Sequence, residues 1–192
     1  MCIRDRHNLY TSGKKIYDYM ASKVPMKVAK QVQPLNYSAE PTRSDTPGNS
    51  VSIRYHGNYN LDIAWVNGAY ERSMNKVKHT DRESNKTLRI GAVIVQTAVM
   101  KVVDKVGRQD ISFIGSGTAV IMQKGTLTAG RWVKPDIAAM TRYYDINGNE
   151  ITFEKGLPIW VQVVSPTHKV VYNGNLETAQ LLKQQQKKFL CQ

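Results

Sequence analysis

Residues 115–134 read GSGTAVIMQKGTLTAGRWVK, and this stretch decides between two folds. Gly115-Ser116-Gly117 would suit a phosphate-cradling loop if a helix came next, because converging backbone N–H groups and the helix dipole would then meet an anion. The next residues are instead Thr118 to Gln123, β-branched and alternating, then a turn at Lys124-Gly125 and a second alternating run, Thr126 to Lys134. No Gly-Lys-Ser/Thr occurs. The stretch is therefore a β-hairpin entered through a glycine corner, with the glycines serving backbone geometry.

Working outward, the same period of two recurs. VSIRYH (51–56) and YNLDIAWV (59–66) read as strands joined at Gly57-Asn58. AYERSM (69–74) follows Asn67-Gly68, a dipeptide suited to a type I′ turn. Residues 75–89 are polar and read as a loop. IGAVIVQTAVMKVV (90–103) reads as one long central strand, followed by a turn at Asp104 to Gly107. DISFIG, TRYYD, EITF and PIWVQVV continue the pattern. About ten short strands at hairpin spacing predict a mainly β domain over 51–166, an antiparallel sandwich or partly closed barrel.

The flanks differ. Residues 1–6 look like a non-native leader. Residues 7–24 predict a short N-terminal helix capped by Thr11 or Ser12, with Ile16, Tyr17, Tyr19 and Met20 on one side. Residues 25–50, with four prolines and no periodicity, read as an extended linker. Residues 167–192 read as a basic C-terminal helix or tail.

Composition bounds function loosely. A net charge of +12 attracts nucleic acid, anionic lipid or anionic wall polymer without choosing among them. Cys2 and Cys191 stand at opposite ends with no zinc spacing. There is no run of 18 apolar residues and no apolar stretch before Cys2. Chemistry is hard to assemble. Ser116 is not in a nucleophile elbow, and the carboxylates of Asp62, Asp104, Asp110, Asp145 and Glu150 fall at strand ends or turns. His79 and Asp81, beside Arg72, offer two ligands where a metal needs three or four, so a loop hydrogen-bond network is the better expectation. No catalytic residue and no cofactor is expected.

Two sets of residues are candidates for binding. Arg131, Lys134 and Arg142, with Tyr143 and Tyr144, could form a basic-aromatic surface for an anionic partner. Against this, Trp132 and Trp160 are expected in the core, with the cations solvated. Arg72, His79 and Asp81 form the second set.

FIGSGTAVIMQKGTLTAGRWVKP resembles the core of the C-terminal domain of the YerB-like bacterial lipoprotein family, a domain of unknown function. TRYYDINGNEI, GLPIWVQVVSP, ERSMNKVKHTD and GAVIVQ resemble further segments of it in the same order, and HNLYTS resembles the end of its N-terminal domain. Two positions depart from the family pattern: Lys76-Val77-Lys78 replace Gly-Lys-Pro before His79, and Ala92 replaces Asn. The resemblance implies an all-β fold and a non-catalytic binding or structural module of an extracytoplasmic, membrane-anchored lipoprotein. On that reading most of the N-terminal domain and the lipid anchor are missing from this chain. The implied partner is a protein or an anionic envelope polymer. A nucleic-acid-binding domain and an accessory domain of a wall-acting enzyme are the alternatives.

Overall fold

The computed structural model describes residues 11–23, 34–57 and 59–173. The expected leader, His7, both cysteines, the first part of the linker and the tail beyond 173 lie outside these residues. The chain divides into two units, 1–33 and 34–192. In the first, α1 (Gly13–Lys23) begins at Ser12, whose Oγ accepts from Lys15 N at 3.3 Å, and Ile16, Tyr17, Tyr19 and Met20 are exposed. Among the described residues no helix is long and apolar enough to cross a membrane.

Among the described residues the second unit holds thirteen strands: β1 (Ser50–His56), β2 (Tyr59–Val66), β3 (Ala69–Met74), β4 (Val77–Lys78), β5 (Arg89–Ile90), β6 (Ala92–Thr97), β7 (Met100–Val102), β8 (Gln109–Ile111), β9 (Gly115–Gln123), β10 (Thr126–Lys134), β11 (Arg142–Asp145), β12 (Ile159–Val164) and β13 (Lys169–Tyr172). One sheet runs β13-β1-β2-β3-β4, with β5 also on β3. The other runs β11-β10-β9-β6-β12, and β7-β8 form a separate ribbon. The fold is thus mainly β and sandwich-like, without a closed barrel. β1 to β3 largely alternate because one face is buried: Val51, Ile53, Leu61, Ile63 and Tyr70 meet Val93, Val95, Val120, Met122, Leu127 and Val164 of the opposing sheet.

The second sheet is covered on both faces. Its far side packs Ala92, Ile94, Ile121, Trp132 and Tyr143 against Ile151, Phe153 and Leu35. Hence β6 is buried almost throughout and reads as an unbroken apolar run. The single strand expected over 90–103 is corrected accordingly. It comprises the end of β5, Gly91, β6, a break at Ala98-Val99, and β7. A second difference is direction. β12 pairs with β6 in parallel, Trp160 opposite Val93 and Gln162 opposite Val95.

The linker and tail boundaries also move. From Leu35 to Asn49 the chain is strapped onto the β unit: Ser38 N donates to Phe153 O at 3.0 Å, Phe153 N to Asn36 O at 2.8 Å and Leu127 N to Thr46 O at 2.9 Å. Proline prevents a continuous ladder, so single bridges and the Thr42–Thr152 side-chain contacts do the pairing. β13, expected in the tail, pairs with β1 from Val51–Tyr172 to Arg54–Lys169.

Turns follow the residue chemistry. Asn67-Gly68 and Lys124-Gly125 have φ of 48°/84° and 52°/71°, the type I′ pattern. The β3–β4 turn is less comfortable, since Lys76 holds φ +70°. A side chain in the left-handed region costs roughly 1–2 kcal/mol, partly offset in glycine by its larger unfolded-state entropy. Lys76→Gly should therefore raise stability by about 1 kcal/mol, seen as a higher urea midpoint with an unchanged slope. A lower midpoint would contradict this turn geometry.

Candidate functional site

On β3, Tyr70 and Arg72 share a face by period two. Tyr70 is core, so Arg72 is a cation on the inner face of a sandwich, and it is only 7% exposed. Opposite it, β12 directs Trp160, Gln162 and Val164 inward, and from the neighbouring strands Tyr55 and Tyr59 approach. His79 follows β4, and its backbone N donates to Arg72 O at 2.8 Å, which seats the imidazole beside the guanidinium.

The contacts are specific. Arg72 Nη1 lies 2.8 Å from His79 Nδ1, and Nη2 donates to the Tyr59 hydroxyl at 3.3 Å. An arginine only donates, so His79 Nδ1 is the acceptor and the ring's proton belongs on Nε2. The guanidinium carbon stands 4.7 Å from the centre of the Trp160 ring, which also meets the His79 ring at 5.5 Å. Tyr55 donates to Gln162 Oε1 at 3.1 Å and packs edge-on against Tyr59 and His168. Burial pushes the Tyr55 phenol up to about 12, so it stays protonated.

Among the described residues no carboxylate pairs with Arg72. The adjacent Glu71 pairs with Lys78 instead, at 3.0 Å. Arg72 Nε is buried without a hydrogen-bond partner. Burying a cation against neutral acceptors costs several kcal/mol that an aromatic face repays only in part. Among the described residues this is the one charged side chain in the buried set.

The other expected site residues are dispersed. Asp81 spends its carboxylate on Ser84 N and Oγ, closing its own turn and lying below the usual carboxylate range because of those bonds. Lys134 Nζ donates to Ala139 O and Ile137 O. Arg142 holds Pro34 O at 2.7 Å and Glu150 at 3.1 Å. Arg131 lies over the Tyr144 ring at 5.4 Å. Tyr143 is not part of that surface. It pairs with Trp132 across β10–β11, is 4% exposed and donates to Gln96 Oε1 at 3.0 Å. The three cations therefore brace loops or stack on Tyr144 rather than gathering around Tyr143. Tyr55, Tyr59, Trp160 and Gln162 were missed as site residues. The available signal was parity: AYERSM places a charge in step with core Tyr70.

On the outer face of the same sheet, Arg54, Asn60, Asp62, Asn75 and Lys76 line a cleft of about 550 Å³. Burial works against the Asp62 charge, but Ser52 at 2.6 Å and Arg54 at 2.9 Å hold its carboxyl below the ordinary range. Arg54 thus has a carboxylate partner within the cleft, unlike Arg72 in its cluster, and Lys76 adds a second cation at the rim.

The family described as "Protein of unknown function (DUF3048) C-terminal domain" matches residues 51–161, which take in Arg72, His79 and Trp160. The chain is 26% identical over 134 residues to "Putative lipoprotein YerB" of Bacillus subtilis (strain 168), covering 66% of this chain and 39% of that protein. It is also similar to the crystal structure of YerB protein from Bacillus subtilis, with a TM-score of 0.69 and 21% identity over 88% of this chain and 57% of that one. This second likeness bears on the fold alone. The chain spans less than two thirds of the length of both relatives.

Proposed function

Because the chain belongs to the DUF3048 family through its C-terminal domain, we propose that it is a non-catalytic binding module of a cell-envelope lipoprotein and that the Arg72–His79–Trp160 cluster is its recognition site. The observation carrying this reading is the buried Arg72 without a carboxylate partner. Well-packed apolar side chains of similar size often replace buried charges at no loss, or with a gain, in stability. A cation kept there at such cost is best accounted for by a ligand. The groups around it favour binding over turnover: Arg72 holds the His79 nitrogen nearest it, and Tyr55 keeps its proton. The name of the Bacillus subtilis relative supports an extracytoplasmic, membrane-anchored full-length protein. The net charge of +12 favours an anionic envelope polymer as partner.

Arg72→Met separates stability from binding. The variant should unfold at higher urea, by about 1–3 kcal/mol, and should lose co-sedimentation with purified anionic wall polymer. A less stable variant that still binds would overturn the assignment. Tight, steeply salt-dependent binding to duplex DNA, equal in both proteins and exceeding that to wall polymer, would favour the nucleic-acid alternative instead.

A further inference from the structure

We propose that the Nε–Nη2 edge of Arg72 is a carboxylate-binding site and that Tyr59 is its movable cover. The inference rests on the recognition site proposed for this cluster and names the chemistry of its ligand. A guanidinium offers two hydrogen-bonding edges to a planar anion. Here Nη1 is committed to His79 at 2.8 Å. On the other edge Nε has no partner and Nη2 has only the longer 3.3 Å contact to the Tyr59 hydroxyl. Nε–H and the adjacent Nη2–H point the same way, so the two groups can each donate to one oxygen of a carboxylate.

Tyr59 is built to move. It opens β2 directly after a hairpin whose register shifts between Arg54 and His56, and it is 37% exposed although its hydroxyl reaches a residue that is 7% exposed. Its ring rests on Tyr55 at 5.2 Å and His56 at 6.3 Å, contacts that a rotation about its side chain exchanges for solvent. Charge selects the ligand. Tyr55 is protonated, His79 accepts through Nδ1 and Gln162 is neutral, so the cluster carries the single charge of Arg72. One carboxylate cancels it, whereas a phosphate dianion leaves an uncompensated charge in a buried place.

The test is an NMR titration of the full chain, following the Arg72 Nε–H signal with sodium acetate and with sodium chloride at equal ionic strength. Acetate should give a saturable shift and chloride none. Tyr59→Phe removes the competing hydroxyl and should tighten acetate by about 3–10-fold, the worth of one hydrogen bond. Arg72→Lys, which keeps the charge but not the edge, should lose the saturable response of the Tyr59 and Trp160 ring signals. Absence of a saturable shift in both wild type and Tyr59→Phe would overturn the proposal, as would an equal response to chloride. Tighter binding of inorganic phosphate than acetate would overturn the carboxylate assignment. If Arg72→Met abolishes polymer binding while acetate moves nothing, the carboxylate edge fails and the recognition site stands. If polymer binding also survives, both fail.

Discussion

Gly117→Ala should cost the β unit about 3–4 kcal/mol of folding stability, the sum expected for overpacking and one buried hydrogen bond. Gly117 lies opposite Trp132 in the β9–β10 ladder. A Cβ there would sit 2.6 Å from Trp132 Nε1 and 2.8 Å from Thr97 O. Those two atoms are bonded to each other at 2.9 Å, so the methyl group would land on the hydrogen bond itself. Trp132 is 2% exposed and cannot retreat into solvent. Its indole must shift, which breaks the bond to Thr97 O and leaves the Trp132 N–H without its acceptor. Gly115, two residues earlier, fails for a different reason. Nothing lies within 4 Å of its would-be Cβ, but its φ is +118°, where an L side chain is strained. Gly115→Ala should cost about 1–3 kcal/mol and leave the near-UV signal of Trp132 intact, while Gly117→Ala should diminish that signal. Urea unfolding orders the two, and a milder effect at Gly117 would contradict this packing of Trp132.

The glycine corner illustrates what could be read in advance. That no helix follows Gly117 was legible, because Thr118 to Gln123 alternate. That Gly117 makes room for an indole was not, since it depends on the partner across the ladder. The same division holds elsewhere. β1, β2 and β3 were readable to within a residue because one face is buried and Asn67-Gly68 marks the turn. β6 was merged with its neighbours because a strand buried on both faces has no alternation to interrupt. Its parallel pairing with β12 leaves no trace in periodicity. The strap over 35–49 pairs through single bridges between prolines, and those have no period at all.

The site divides in the same way. Arg72 and His79 stand close in sequence and on the two arms of one hairpin, so their proximity could be anticipated. Trp160 and Gln162 reach them only because β12 forms the edge of the opposing sheet beside β6, a consequence of topology. Tyr143 went astray for want of register: once Arg131 is seen opposite Tyr144, Tyr143 must share the buried face of Trp132. Among the described residues the cations at 134 and 142 serve loops and a salt bridge. A candidate binding charge in this fold is better sought where parity forbids one than where charges are plentiful.

Raising the pH from about 9 to about 11 should destabilise the β unit by several kcal/mol, beyond what surface lysines lose over the same range. Four phenols carry the effect. Burial pushes Tyr55 and Tyr143 up to about 12, and it raises Tyr70 and Tyr172 further. In the unfolded chain each titrates near 10. Between the two values the native state holds more protons than the unfolded state, so stability falls as pH rises. Below the unfolded value these groups contribute no slope, and the loss begins near pH 10. Three of the phenols also donate a hydrogen bond that a phenolate cannot make: Tyr55 to Gln162, Tyr70 to Gly48 O at 2.8 Å and Tyr143 to Gln96. Ionisation therefore turns each acceptor into a repulsive neighbour, and unfolding relieves it. Urea midpoints across this range, followed with phenolate absorbance, should show the buried tyrosines ionising together with unfolding. Tyr143→Phe removes one titrating group and should flatten the slope by up to about one proton's worth, 1.4 kcal/mol per pH unit, while costing stability near neutrality through the orphaned Gln96 oxygen. Phenolate absorbance that rises completely before any loss of structure would show that these hydroxyls are accessible, and would overturn the buried arrangement on which both cores depend.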